Sequence, residues 1–124
     1  MIHLDTNFLV RLLVSGSSHA LLVDQWINSG QLLAASAVAW SEFLNGPVTI
    51  AEIRRVEAVV GSRIIPFGKT EAALAATLFN QTGRRRGSRF DCLIGATAIQ
   101  HQAELATANL TDFKPFTAFG LKLV

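Results

Sequence analysis

Three acidic side chains stand where the surrounding sequence is otherwise apolar. Asp5 follows the apolar run 2–4, Glu42 lies within the largely apolar segment 38–44, and Asp91 opens another apolar segment. Charged side chains are seldom buried unless they are paired or bind a metal. Carboxylates that converge raise one another's pKa, and a hard divalent cation such as Mg²⁺ or Mn²⁺ removes that repulsion. Such an ion can activate water for phosphodiester cleavage.

Each of these carboxylates also has a simpler interpretation. Asp5 could cap the helix that follows it, and Asp91 could be a first-turn carboxylate that the helix dipole favours. Glu42 could be an ordinary surface residue. Their spacing along the chain does not decide between these interpretations and a shared metal site.

Alternating strands and helices are predicted to carry these side chains. Short apolar runs predict strands over about 2–4, 32–35, 63–66, 104–107 and 121–124. Apolar periodicity predicts helices over about 8–13, 19–29, 37–45, 50–60, 70–81 and 90–102, with a turn over 109–113. This alternation is typical of an α/β fold with a central parallel sheet of four to five strands flanked by helices. Ligands bind outside the carboxyl ends of such strands, which is where Asp5 would lie.

Capping residues support several of these helix starts. Ser17 or Ser18 can cap the second helix and Ser36 the third. Thr49 and Glu52 match a capping box, in which each side chain bonds the backbone of the other residue.

Length and composition predict one soluble domain over residues 1–124. The chain has 124 residues, half of them hydrophobic, and a mean hydropathy of +0.37. No apolar run reaches the roughly 20 residues that span a bilayer, and we expect neither a membrane segment nor a signal peptide. The single cysteine excludes an internal disulfide and favours a cytoplasmic location.

The formal net charge of +2 understates the basic character of the surface. If Asp5, Glu42, Asp91 and Asp112 surround cations, five acidic residues remain against eleven basic ones. Such a surface suits a polyanion such as nucleic acid, although a mildly basic protein is the simpler alternative.

Histidine and cysteine chemistry is not indicated. His3, His19 and His101 are too scattered to suggest a zinc site. His3 is interpreted as a packed strand residue, and Cys92 as a buried thiol rather than a nucleophile.

Four motifs, in this order, make the chain similar to PIN domains, in particular to the VapC-type toxins of bacterial and archaeal toxin–antitoxin pairs. They are Ile2–Asn7, Ser36 with Glu42 six residues later, Asp91–Ala98 and Thr107–Phe113. The resemblance covers nearly the whole chain. It implies a PIN-like three-layer sandwich and an endoribonuclease that depends on Mg²⁺ or Mn²⁺. It also implies a homodimer that a VapB-type antitoxin holds inactive.

The resemblance implies roles for individual residues. Asp5, Glu42 and Asp91 match the three most regular acids of the family, and Thr6 matches a hydroxyl that often assists the first aspartate.

The fourth acidic position departs from the family pattern. The family often has an acid two residues after the threonine that matches Thr107, and this chain has Asn109 there. Asparagine can ligate through its carbonyl oxygen but adds no negative charge. We therefore expect either that Asp112, three residues further on, assists from outside the ligand shell or that a second metal binds weakly.

A basic loop lies just before Asp91 and contains Arg84, Arg85, Arg86 and Arg89. Arginine binds phosphate oxygens through paired hydrogen bonds, so we expect this loop to guide RNA to the metals. A solvated loop and a loop that contacts the antitoxin are the alternatives.

Two other functions are compatible with the sequence. One is a PIN nuclease with a housekeeping role in RNA processing. The other is a catalytically inactive RNA- or protein-binding domain, which the asparagine at position 109 keeps open. A flavodoxin-like nucleotide-binding domain is disfavoured because no Gly-rich loop follows the first strand.

Overall fold

The computed structural model describes residues 1–124, which form five strands, seven α-helices and one 3₁₀ helix. The strands are β1 (Ile2–Leu4), β2 (Leu33–Ser36), β3 (Ile64–Ile65), β4 (Glu104–Ala106) and β5 (Lys122–Leu123). The α-helices are α1 (Thr6–Arg11), α2 (Ser18–Asn28), α3 (Ala37–Asn45), α4 (Ile50–Val60), α5 (Lys69–Gln81), α6 (Arg89–Gln100) and α7 (Leu110–Phe113). The 3₁₀ helix covers Lys114–Phe119.

All five strands join one parallel sheet in the order β3-β2-β1-β4-β5. Strand β1 is central, and Ile2 is in register with Leu33 on one side and Glu104 on the other. The order of the chain reverses between β1 and β4, and this kind of switch point is where open parallel sheets bind ligands. The predicted α/β fold with a parallel sheet flanked by helices is confirmed.

Local hydrogen bonds start three of the helices where the sequence predicts. Ser17 Oγ accepts from Ala20 N at 3.0 Å, and Ser36 caps α3 in the same way. Thr49 and Glu52 form both hydrogen bonds of the capping box, at 2.9 and 3.1 Å. None of the helices has the length and hydropathy that a bilayer-spanning segment requires.

The predicted turn at 109–113 is wrong. Residues 110–113 form α7, and the 3₁₀ helix continues from it. Phe113 and Phe116 lie one helical turn apart and are fully buried, with their rings packed edge to face at 5.9 Å. The polar residues of this segment suggest a turn, but burial of the two rings keeps it helical. Gly120 then ends it with a φ of +102°, which only glycine adopts without strain.

Helix α6 is held against the same aromatic cluster. A Cβ atom added to Gly95 would lie 3.1 Å from the Phe116 ring. This close approach fixes the depth of α6, and therefore the position of Asp91 in its first turn.

Candidate functional site

Asp5 lies at the carboxyl end of the central strand and is 4% exposed. Its Oδ1 accepts from the backbone N–H of Thr6 at 2.8 Å, so it caps α1. Its Oδ2 accepts from Thr107 Oγ1 at 2.7 Å and from Asn7 Nδ2 at 3.2 Å. All three donors are uncharged, and they orient the carboxylate without neutralising it.

Thr107 and Asn7 hold Asp5 across the switch point of the sheet. Thr107 directly follows β4, is 7% exposed, and also accepts from the backbone N–H of Asn109 at 3.0 Å. Asn7 Oδ1 accepts from Ala108 N at 3.0 Å, which ties α1 to the segment after β4. Thr107 and Asn7 lie within the sequence motifs, but the sequence alone assigns them no role. The available signal was that both follow strands that a parallel sheet can place side by side.

Glu42 reaches the same region from α3. Its Oε1 accepts from Thr6 Oγ1 at 2.8 Å, although the two residues are 36 positions apart. Thr6 therefore donates its backbone N–H to Asp5 and its hydroxyl to Glu42. This links the first strand to the third helix through one small residue.

Asp91 comes from the first turn of α6, and its pKa is raised from 3.8 to about 6. Burial is the largest cause, and the negative charges of Asp5, Asp112 and Glu42 add to it. The Arg85 guanidinium acts in the opposite direction. The structure thus brings together all four carboxylates that the sequence analysis singled out.

Burial also raises the pKa of Asp5, and the charge of Glu42 adds to this effect. The hydrogen bonds from Thr107, Thr6 and Asn7 lower it. The simpler roles are present at the same time, because Asp5 caps α1 and Asp91 lies in the first turn of α6. A carboxylate in this fold can therefore cap a helix and also lie near the other carboxylates.

The donor set suits a hard divalent cation. Its side chains offer carboxylate oxygens, and oxygen ligands are those that Mg²⁺ and Mn²⁺ prefer. No three acidic, histidine or cysteine side chains are already arranged around one point as ligands of a single ion. A divalent cation would offset the mutual repulsion of carboxylates that close around it.

Asp112 lies in α7, and Asn109 directly precedes that helix. Asp112 is exposed, and its charge contributes to the raised pKa of Asp91. Asn109 precedes α7 without capping it through its side chain, which is exposed.

The four arginines of the basic loop separate into two pairs. Arg85 and Arg86 line a cavity of about 170 Å³ together with Asp91 and Asp112. Arg85 Nη2 donates to the backbone carbonyl of Asp112 at 3.2 Å, and its buried Nε has no hydrogen-bond partner. This pair is therefore adjacent to the carboxylates.

The second pair faces α5. Arg84 and Arg89 lie over the Phe79 ring, 5.3 and 4.4 Å from its centroid, and Arg84 also donates to Asn80 Oδ1. A continuous basic loop in the sequence thus becomes two surfaces in the fold.

His3 and Cys92 add no charge to the site. His3 is 1% exposed, and burial, reinforced by His101 and the amino terminus, lowers its pKa to about 4. Burial raises the pKa of the Cys92 thiol, which remains protonated. Both residues are packed in the core, as the sequence predicts.

Comparisons with known proteins agree with this architecture. The model of the PIN domain family matches residues 2–114. FitAcB from Neisseria gonorrhoeae superposes with a TM-score of 0.73 at 22% identity, over 99% of this chain and 96% of that chain. No curated protein matches the sequence.

Two further solved structures are equally similar. A toxin–antitoxin complex from Klebsiella pneumoniae has a TM-score of 0.73 at 24% identity, over 91% of this chain and 90% of that chain. VapBC2 from Rickettsia felis, bound to a DNA fragment from its promoter, has a TM-score of 0.73 at 22% identity, over 100% and 98% of the two chains. At these identities the likeness establishes the fold.

Proposed function

Because the chain belongs to the PIN domain family, we propose that it is a metal-dependent endoribonuclease and the toxin of a VapBC-type toxin–antitoxin pair. One observation carries this proposal. Asp5, Glu42 and Asp91 come from three separate elements and converge at the carboxyl end of the central strand, where the pKa values of both aspartates are raised.

These three carboxylates would hold Mg²⁺ or Mn²⁺, with Asp112 beside them. When bound, such an ion lowers the pKa of a water and offsets charge on the departing oxygen. Thr107 keeps the Asp5 carboxylate in one orientation, and Thr6 does the same for Glu42.

Arg85 and Arg86 would bind the RNA backbone. Their side chains line one cavity together with Asp91 and Asp112, which puts two guanidinium groups beside the carboxylates. Arginine contacts to phosphate oxygens position a nucleic acid without reading its sequence. The chain would thus hold a phosphodiester between these arginines and the carboxylates.

The direct test is cleavage of single-stranded RNA by the purified protein. We expect internal cuts in Mg²⁺ or Mn²⁺, and none after EDTA is added. DNA of the same sequence is the matched control, which tests whether cleavage is specific to RNA. RNA that stays intact across a Mn²⁺ titration would contradict the nuclease proposal and favour an inactive binding domain.

Replacing Thr107 with valine should weaken metal use without unfolding the protein. Valine preserves the volume but removes the hydroxyl that donates to Asp5 at 2.7 Å. Partners of metal ligands typically contribute roughly 10- to 100-fold to metal affinity or activity. We expect the Mn²⁺ concentration for half-maximal cleavage to rise by about that factor.

Thr97→Val provides the matched control for that substitution. Thr97 is also buried, but its hydroxyl donates only to the backbone carbonyl of Leu93 within α6. If the Mn²⁺ concentration for half-maximal cleavage rises equally in both variants, Thr107 contributes only to the stability of the protein.

The two arginine pairs should differ in their effect on RNA binding. Replacing Arg85 and Arg86 with alanine should weaken binding and flatten its salt dependence. For single strands, the slope falls by about 0.7 for each phosphate contact that is lost. Replacing Arg84 and Arg89, which lie over Phe79, should change the slope less. Equal slopes for both double variants would contradict this division.

A VapB-type antitoxin is the proposed protein partner, and the toxin is proposed to act as a homodimer in the cytoplasm. The likeness to chains from toxin–antitoxin complexes supports the partner. Large apolar side chains that remain exposed also support binding of a protein partner, and they include Val10, Leu21, Leu22, Ile27 and Leu110. Light scattering that finds only a monomer, alone and with the product of an adjacent reading frame, would contradict both assignments.

A further inference from the structure

Phe90 is an exposed aromatic side chain beside the carboxylates. It leaves 57% of its surface accessible, although it directly precedes Asp91 in the first turn of α6. Successive helical residues point about 100° apart, so Phe90 and Asp91 face neighbouring sides of the helix. An RNA strand held at Asp91 would pass this ring.

The ring lines a groove between α3 and α6. It encloses about 440 Å³, within the range of roughly 300–1,000 Å³ that small-molecule sites occupy. Its lining includes Val38, Ser41, Glu42, Asn45, Phe90 and Leu93. Glu42 belongs both to this groove and to the carboxylate cluster, where it accepts from Thr6. The groove is therefore continuous with the site.

The chemistry of the groove suits an unstacked nucleobase. Val38 and Leu93 provide apolar contacts, and Phe90 offers a π-face. Ser41 and Asn45 lie four residues apart on α3, so their exposed polar groups share one face. Proteins read single-stranded RNA by stacking bases on aromatic side chains and hydrogen-bonding the base edges.

We propose that Phe90 stacks on a nucleobase next to the cleaved phosphodiester, with Ser41 and Asn45 reading its edge, an assignment that rests on the proposed RNA cleavage. The groove is thus a base-binding subsite, and Phe90 is a specificity-determining residue. A protein partner that covers the same ring is the competing occupant. The shared Glu42 favours RNA because it joins the groove to the carboxylates.

The test compares three substitutions of Phe90 in the full chain, each combined with Asp5→Asn to prevent cleavage. The probes are short single-stranded RNA oligonucleotides and an abasic oligonucleotide of the same length, which retains the phosphates. Base–aromatic stacking predicts that Phe90→Ala weakens binding of base-bearing RNA by roughly 5- to 140-fold. Phe90→Leu should behave like Phe90→Ala, and abasic RNA should bind all variants equally.

Phe90→Trp should retain affinity and report the contact directly. Its added tryptophan fluorescence, measured against the two native tryptophans of the unsubstituted protein, should be quenched by base-bearing RNA and not by abasic RNA. Ile50→Ala is the surface control, because Ile50 is 70% exposed on a different helix, and it should change no binding constant.

Two outcomes would overturn the proposal. One is that the Phe90→Ala protein binds base-bearing RNA as tightly as the protein that retains Phe90. The other is that Phe90→Ala changes the molecular mass measured by light scattering but leaves the preference for base-bearing over abasic RNA unchanged. That result would make Phe90 a protein-interface residue. Wild-type protein that binds RNA through Phe90 but cuts none in Mn²⁺ would support the subsite and refute the nuclease.

Discussion

Replacement of Asp5 with asparagine is expected to abolish RNA cleavage while leaving the fold intact. Asparagine keeps the shape and one acceptor oxygen, so it can still cap α1 through the backbone N–H of Thr6. It removes the negative charge at the point where three elements converge. Metal ions supply several kcal/mol of transition-state stabilisation, so losing a ligand should cost roughly a thousandfold in rate.

The measurement is single-turnover cleavage of RNA in Mn²⁺, with circular dichroism to verify the fold. Asp24→Asn is the matched control, because Asp24 is an exposed aspartate on α2 and should leave cleavage unchanged. Asp112→Asn should only reduce the rate, since Asp112 is exposed and contributes mainly charge to Asp91. Full cleavage by the Asp5→Asn protein would contradict the proposal that Asp5 holds the metal ion.

Replacement of Asp91 with asparagine is expected to stabilise the metal-free protein above pH 6 while abolishing cleavage. The folded-state pKa of Asp91 is about 6, against an ordinary value of 3.8. A carboxyl whose pKa is raised by folding lowers stability as pH rises from about 4 to about 6, and the deficit then persists. Asparagine does not ionise and escapes this cost.

The free energy of unfolding of the Asp91→Asn protein should exceed that of the wild-type protein by about 1 kcal/mol, or a few degrees in Tm, after allowance for the partial exposure of Asp91. It should appear at pH 7.5 and vanish near pH 3.5, where Asp91 is protonated in both the folded and the unfolded states. Thermal melts of the two proteins in EDTA at these pH values measure it. If the Tm difference between the two proteins is the same at both pH values, ionisation of Asp91 is not what lowers the stability of the wild-type protein.

Added Mn²⁺ should reverse the order of stability. An ion at 100 times its dissociation constant stabilises the folded state by about 2.7 kcal/mol. At pH 7.5 wild-type protein should gain this stability and the Asp91→Asn protein should not. The wild-type gain should shrink below pH 6 as Asp91 becomes protonated. If both results are obtained, the carboxylates cost stability in the absence of the proposed ion, which is a common compromise between stability and activity.

Features that depend on neighbouring residues could be predicted from the sequence. The caps of α2, α3 and α4 form between residues three positions apart, and each is visible as a short pattern. The alternation of apolar runs and helical periods likewise determined the α/β class. Asp5, Glu42 and Asp91 were conspicuous because each is a charge in an apolar context.

Contacts between distant residues were decided by the tertiary structure alone. Thr107 donates to Asp5 across 102 positions because β4 is paired in register with β1. Thr6 likewise meets Glu42 only after α3 is placed beside α1. Register and helix placement depend on burial of the whole core, which no local pattern encodes.

The same reason explains the two surprises in the fold. Burial of Phe113 and Phe116 turned an apparent turn into helix, and the basic loop divided between Phe79 and the carboxylates. The sequence by itself therefore determined which charges the fold had to accommodate. The packed sheet and helices decided that Asp5, Glu42 and Asp91 lie near one another. Only folding buries Asp91 and brings the like charges of Asp5 and Glu42 near it, and both effects raise its pKa.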